Sequence, residues 1–79
     1  MTQSGNLNVG FIGAGRMATA LAQGLVSAGF VSADRVVATD VLPAALDAFA
    51  KQTSARVVES ASEVVIGSDV LFLAVKPQQ

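Results

Sequence analysis

The chain has 79 residues, with five basic side chains against six acidic ones, and 52% of it is apolar. That length holds at most one small domain, and such apolarity in so short a chain implies elements that pack against something further. Scattered basic residues argue against a nucleic-acid surface. With no Cys and no His, disulfides, thiol nucleophiles and the common zinc arrangements are excluded, and no run approaches the ~18 apolar residues of a membrane span.

Residues 1–7 are polar and uncharged, and read as a frayed leader without the basic and apolar regions of a signal peptide. Val9–Ile12 is a short apolar run and the first expected strand. It leads into Gly13-Ala14-Gly15-Arg16-Met17-Ala18, the G-x-G-x-x-[GA] turn of a dinucleotide-binding βαβ unit. Each small residue has its own task there. Gly13 permits the tight turn, Gly15 lets a pyrophosphate approach the backbone, and Ala18 lets the helix pack closely on the strand. The helix that follows starts with unpaired N–H groups and the positive end of its dipole, which together suit an anionic phosphate.

That helix is expected over 17–28, with Met17, Ala18, Leu21, Ala22, Leu25 and Val26 at helical spacing and Gly29 as its stop. After a connector at 30–34, a second strand is expected over 35–39. Pro43 then suits the first turn of a second helix, running to about Gln52 on Leu42, Ala45, Leu46 and Phe49. A short third strand is expected at 56–58. Ser60 and Glu63 give the S-x-x-E start of a third helix through Val64, Val65 and Ile66. A fourth strand over 69–75 runs into Lys76-Pro77-Gln78-Gln79 with no closing helix, which reads as the N-terminal part of a larger protein.

The alternation β-α-β-α-β-α-β predicts an α/β Rossmann-type parallel sheet with helices on both faces, with residues 8–79 as the NAD(P)-binding domain. The ligand crevice then lies at the C-terminal strand ends, where Gly13–Gly15 and residues 74–77 meet. Asp40, at the end of the second strand, can accept hydrogen bonds from the ribose hydroxyls, and would repel a 2′-phosphate; it can also bind the free N–H groups of the Pro43 helix. Thr39 can instead bond a phosphate. Arg16 can reach a phosphate or stack on adenine, or simply be solvated. Met17 reads as core filler whose backbone N–H lies in the phosphate turn. Ala74, Val75, Lys76 and Pro77 border the crevice, and Lys76 or its backbone can touch the nicotinamide ribose, although Pro77 also serves as a plain strand terminator. Asp34, Asp47, Glu59, Glu63 and Asp69 read as caps or solvated groups. No pair of them is placed for acid–base work, so no catalytic residue and no metal ligand is expected.

Three blocks, Gly10-Phe-Ile-Gly-Ala-Gly-Arg-Met17, Ala33-Asp-Arg-Val-Val-Ala38 and Ser68-Asp-Val-Leu-Phe-Leu-Ala-Val-Lys-Pro77, together resemble the N-terminal domain of pyrroline-5-carboxylate reductases. The first block is shared widely among dinucleotide enzymes; the last, with its A-V-K-P ending, is more specific. The resemblance implies an NAD(P)H-binding domain of an enzyme of proline biosynthesis that reduces 1-pyrroline-5-carboxylate to L-proline, and the lack of cysteine is consistent with a cytoplasmic protein. It further implies a homo-oligomer formed through a C-terminal domain that also holds most of the substrate pocket. The implied cofactor contacts are Gly13, Ala14, Gly15, Arg16, Met17, Thr39, Asp40, Ala74, Val75, Lys76 and Pro77. Two departures stand out: Ala61 where many relatives carry Asn, and Thr39-Asp40 where many carry Ser or Asn-Arg suited to a 2′-phosphate. The cofactor is therefore NADPH or NADH, with Asp40 leaning toward NADH. Alternative readings are the nucleotide domain of another NADP-linked reductase or β-hydroxyacid-type dehydrogenase, and a non-catalytic dinucleotide sensor.

Overall fold

The computed structural model describes residues 7–74, so the 1–6 part of the expected leader and Val75, Lys76 and Pro77 lie outside the described residues. The elements follow in the order β1 (Val9–Ile12), α1 (Arg16–Ser27), a 3-10 turn (Ala33–Arg35), β2 (Val36–Thr39), α2 (Pro43–Thr53), β3 (Arg56–Val57), α3 (Ala61–Gly67) and β4 (Val70–Leu73). The strands form one parallel sheet in the order β3-β2-β1-β4. The central β1 has a strand on each edge and helices over both faces, which is why Val9, Gly10 and Phe11 are buried without alternation.

Alternation along β1 still decides which helix each residue meets. Phe11 points to the α1–α2 face, where its ring lies 5.7 Å from Phe49 of α2 and stacks at 5.1 Å on Phe72 of β4. Ala18, Ala22, Val36 and Ala38 complete that core, with Leu25 and Leu46 packed against it. Gly10 faces the other way, toward α3. A Cβ built there would stand 2.6 Å from Val64 Cγ1 and would also collide with the Ser68 hydroxyl, so only a residue without a side chain lets α3 sit this close.

Every expected element is present, with most ends shifted by a residue or two, and several of the shifts have local causes. Helix α1 ends one residue earlier than expected, at Ser27, because Gly29 (φ 83°) closes it: its N–H donates to Val26 O at 3.1 Å, and Phe30 N–H donates to Leu25 O at 3.0 Å. Pro43 occupies the first turn of α2 as expected. That helix runs through Thr53, whose hydroxyl donates to Phe49 O at 2.6 Å and accepts from Ala55 N–H at 3.1 Å, with Ser54 left-handed at φ 63°. Arg35 belongs to the 3-10 turn and not to β2. Val58 falls just after β3, although its N–H still donates to Ala38 O at 2.9 Å. Asp69 precedes β4, because its carboxylate turns to accept the Asn8 N–H at 2.8 Å. Met17 is no core filler: it is 75% exposed, and the buried residues of α1 are Ala18, Thr19 and Ala22.

Gly10→Ala should destabilise the fold by roughly 1–3 kcal/mol, since the added methyl overpacks the β1–α3 contact. Urea unfolding of the wild type and the variant measures it, and equal midpoints would mean that α3 can retreat at no cost.

Candidate dinucleotide site

The site is built where β1, β2 and β4 end side by side. Gly13 leaves β1 at φ 108°, a conformation that L side chains rarely adopt, and its N–H donates to Thr39 O at 2.8 Å. On the other flank, Ala74 N–H donates to Ile12 O at 2.8 Å. The turn is thus sewn to both neighbouring strands before α1 begins. The first bond of that helix is Thr19 N–H to Gly15 O at 2.9 Å, which leaves the amides of Arg16, Met17 and Ala18 without intrahelical acceptors. No acidic side chain lies in the first turn of α1 and no side chain caps it, so the positive end of its dipole is not neutralised from within.

Gly15 differs from Gly13. Its φ of −79° is open to any residue, and a Cβ built on it meets nothing within 4 Å. Among the described residues nothing calls for glycine there, whereas a ligand lying against the backbone would. A groove of about 400 Å³ opens at this point between α1 and α2, its walls including Ala14, Gly15, Arg16, Thr19, Ala45 and Ala48. A second groove of about 490 Å³ around Gln23, Gly24 and Gln52 lies toward the far ends of the same helices and holds no ionisable side chain.

Asp40 is hydrogen-bonded directly to the turn. One carboxylate oxygen accepts the Ala14 N–H at 2.7 Å and the other accepts the Leu42 N–H at 3.0 Å, so the side chain bridges the glycine turn and the start of α2. Partial burial pushes its pKa up, but the hydrogen bonds from the Ala14, Leu42 and Val41 backbone outweigh that and hold it below the ordinary aspartate value. A carboxylate offers about four acceptor directions, so these backbone donors still leave room for a ribose hydroxyl.

The expected site residues therefore divide as follows. Gly13, Ala14, Gly15, Arg16, Met17, Asp40 and Ala74 gather at one rim; Ala14 is buried and gives its N–H to Asp40, and Arg16 is exposed. Thr39 is buried at 6% exposure and contributes its carbonyl to the turn. Ala61 opens α3 behind the Ser60 cap, whose hydroxyl accepts the Ser62 N–H at 3.2 Å. Sequence reasoning passed over Val41 and Leu42 as rim residues; they are 92% and 62% exposed between Asp40 and the helix that Pro43 opens. Two apolar residues in a loop directly after the acid were the available signal. Among the described residues no cluster of acidic side chains could hold a metal ion, and no helix is long and apolar enough to cross a membrane.

Residues 8–79 match the family model described as NADP oxidoreductase coenzyme F420-dependent. The chain belongs to this family. It is 42% identical over 73 residues to a pyrroline-5-carboxylate reductase of Methanosarcina acetivorans, covering 92% of this chain and 27% of that one. To human pyrroline-5-carboxylate reductase 2 it is 43% identical over 74 residues, which are 90% of this chain and 22% of the other. A solved pyrroline-5-carboxylate reductase from Coxiella burnetii superposes with a TM-score of 0.80 at 31% identity, covering 90% of this chain and 26% of that one. The chain thus spans about a quarter of the length of these relatives. Membership in this oxidoreductase family accords with a pyridine nucleotide cofactor.

Because the folded-state pKa of Asp40 lies below its unfolded value, the group adds stability above about pH 4 and loses that contribution as pH falls through the folded value. Asp40→Asn should flatten the fall in stability between neutral and acid pH. Asp34, held low first by its hydrogen bond with Ser32, remains in both proteins. Denaturant unfolding at pH 7 and pH 3 checks this, and parallel curves would mean that the bridge is energetically idle.

Proposed function

We propose that the chain is the NAD(P)H-binding domain of an enzyme that reduces 1-pyrroline-5-carboxylate to L-proline. The observation that carries the nucleotide role is Gly15: open space where its Cβ would stand, directly before the unpaired amides of α1, in a position where no described residue requires glycine. A pyrophosphate fits such a place, drawing on the Arg16 and Met17 amides and the helix dipole. Arg16 is free to swing over a phosphate or the adenine, and Asp40 to accept the ribose hydroxyls. Ala74, with Val75, Lys76 and Pro77 beyond it, would border the nicotinamide half. The similarity to pyrroline-5-carboxylate reductases in sequence and in fold supports the substrate. When bound, the nucleotide supplies a hydride to the imine carbon; this chain's residues hold and orient it, and none of the described ones is an evident proton donor for the imine nitrogen. The proton donor, most of the substrate pocket and the contacts of a homo-oligomer are assigned to the remainder of a longer cytoplasmic protein.

Gly15→Val should leave the thermal midpoint within a few degrees of wild type, because the side chain enters open space, yet abolish NADH and NADPH binding in calorimetric titration. Retained affinity would make the turn purely structural. Turnover of 1-pyrroline-5-carboxylate by the full-length protein, assayed by oxidation of the reduced nucleotide, tests the substrate; its absence, with nucleotide binding intact, would overturn the reductase assignment alone.

Asp40 favours NADH, since a 2′-phosphate would bring like charge beside its carboxylate. Screening at this half-exposed rim limits the discrimination to ~1–2 kcal/mol, or roughly tenfold. Asp40→Ser should raise the ratio of NADPH to NADH affinity by about that factor. The dissociation constants of both nucleotides for both proteins decide it, and a wild type that already prefers NADPH by a wide margin would refute the assignment.

A further inference from the structure

We infer that Asp40 is a positioning residue for the phosphate turn, fixing the turn through Ala14 and Leu42, so that it controls affinity for the pyrophosphate of either nucleotide as well as any contact with the ribose. The inference rests on the dinucleotide reading and goes beyond it. A ribose acceptor needs only to face the ribose, whereas this carboxylate is committed to the backbone on both sides. Oδ2 takes the Ala14 N–H at 2.7 Å, a contact between residues 26 apart in sequence, and Oδ1 takes the Leu42 N–H at 3.0 Å.

The geometry is specific to a carboxylate. Two N–H donors arrive from two different elements, one at each oxygen, and each requires an acceptor. Asn would offer one acceptor and one donor, so either Ala14 or Leu42 would face an N–H group in place of an oxygen. Glu would keep the charge and both oxygens but carry them one methylene further out. The tether also settles the direction of the turn. Gly13 is held by Thr39 O on the β2 side, and with Ala14 held by Asp40, two successive amides are drawn toward β2. The next amides, at the start of α1, are thereby left for the ligand. Short charge-assisted bonds of this kind are the stronger class of hydrogen bond, and pre-formed donors avoid an ordering cost on binding.

Electrostatics and positioning predict opposite signs when the charge is removed. A negative carboxylate near a phosphate site repels the anion, so neutralising it would tighten binding if charge were its whole effect. If the carboxylate shapes the turn, neutralising it weakens binding. The probes are adenosine diphosphate and 2′,3′-dideoxyadenosine diphosphate, the second having no ribose hydroxyl for Asp40 to accept from. Titrations of the full-length protein with both are compared for wild type, Asp40→Asn and Asp40→Glu, with circular dichroism confirming that each variant is folded.

The expected result is a loss of about fivefold or more in affinity for the dideoxy probe in Asp40→Asn. A smaller loss in the same direction is expected in Asp40→Glu, which also serves as the test should the Asn variant fail to fold. Unchanged or tighter binding of the dideoxy probe, with weaker binding of adenosine diphosphate, would overturn the inference and leave Asp40 a ribose acceptor only. Failure of wild type to bind either probe would overturn the dinucleotide reading itself, and this inference with it.

Discussion

The N–H of Gly13, the carbonyl of Thr39 and the carboxylate of Asp40 meet where β1 and β2 stop side by side, and the arrangement of the rim follows from that meeting. A strand that simply ended here would leave its last amides to water. Instead, the positive φ of Gly13 turns the backbone so that successive N–H groups find partners on β2, and the helix starts at a defined place and angle. The opposite flank is fixed in the same way by Ala74 against Ile12. The unpaired amides of α1 therefore belong to a rigid frame, which is what a ligand needs if its binding is not to include the cost of ordering a loop.

How far this was legible beforehand depended on the distance over which each feature is set. Local chemistry was readable: Val9–Ile12 as a strand, Gly29 as a helix stop and Pro43 as a helix start all rest on the preferences of one or two residues. The edges of β3 and β4 were less so. Val58 and Asp69 have strand-compatible neighbours, yet their boundaries depend on which partner strand is within reach and on Asp69 turning to Asn8. Met17 misled because helical periodicity counts apolar residues without regard to where the sheet lies. It is the second residue of α1, whereas the burial begins with Ala18.

The candidate site divides along the same line. The glycine spacing identified the turn, and the offset of Asp40 placed a carboxylate near it. The choice between ribose acceptor and helix cap could not show that the same side chain also holds Ala14, because that contact exists only once β1 and β2 are paired in register, Ile12 beside Thr39. The different reasons for Gly13 and Gly15 were also hidden in a motif that writes both with one letter. The first is needed by the backbone itself, and the second only by what lies against it.

The bare Cα of Gly10 has a consequence for how the chain finds this arrangement at all. Parallel strands can in principle pair in several offsets, and a shift of one residue exchanges the two faces of a strand. Under α3, however, β1 can present no side chain: a slip by one would put Val9 or Phe11 against Val64, and a slip by two would put Asn8 or Ile12 there. Each alternative pairing is thus penalised by a collision on a face remote from the ligand rim. The single missing methyl acts as a proofreading key during assembly, and by selecting one offset it sets the height at which β1 runs out and the glycine turn begins.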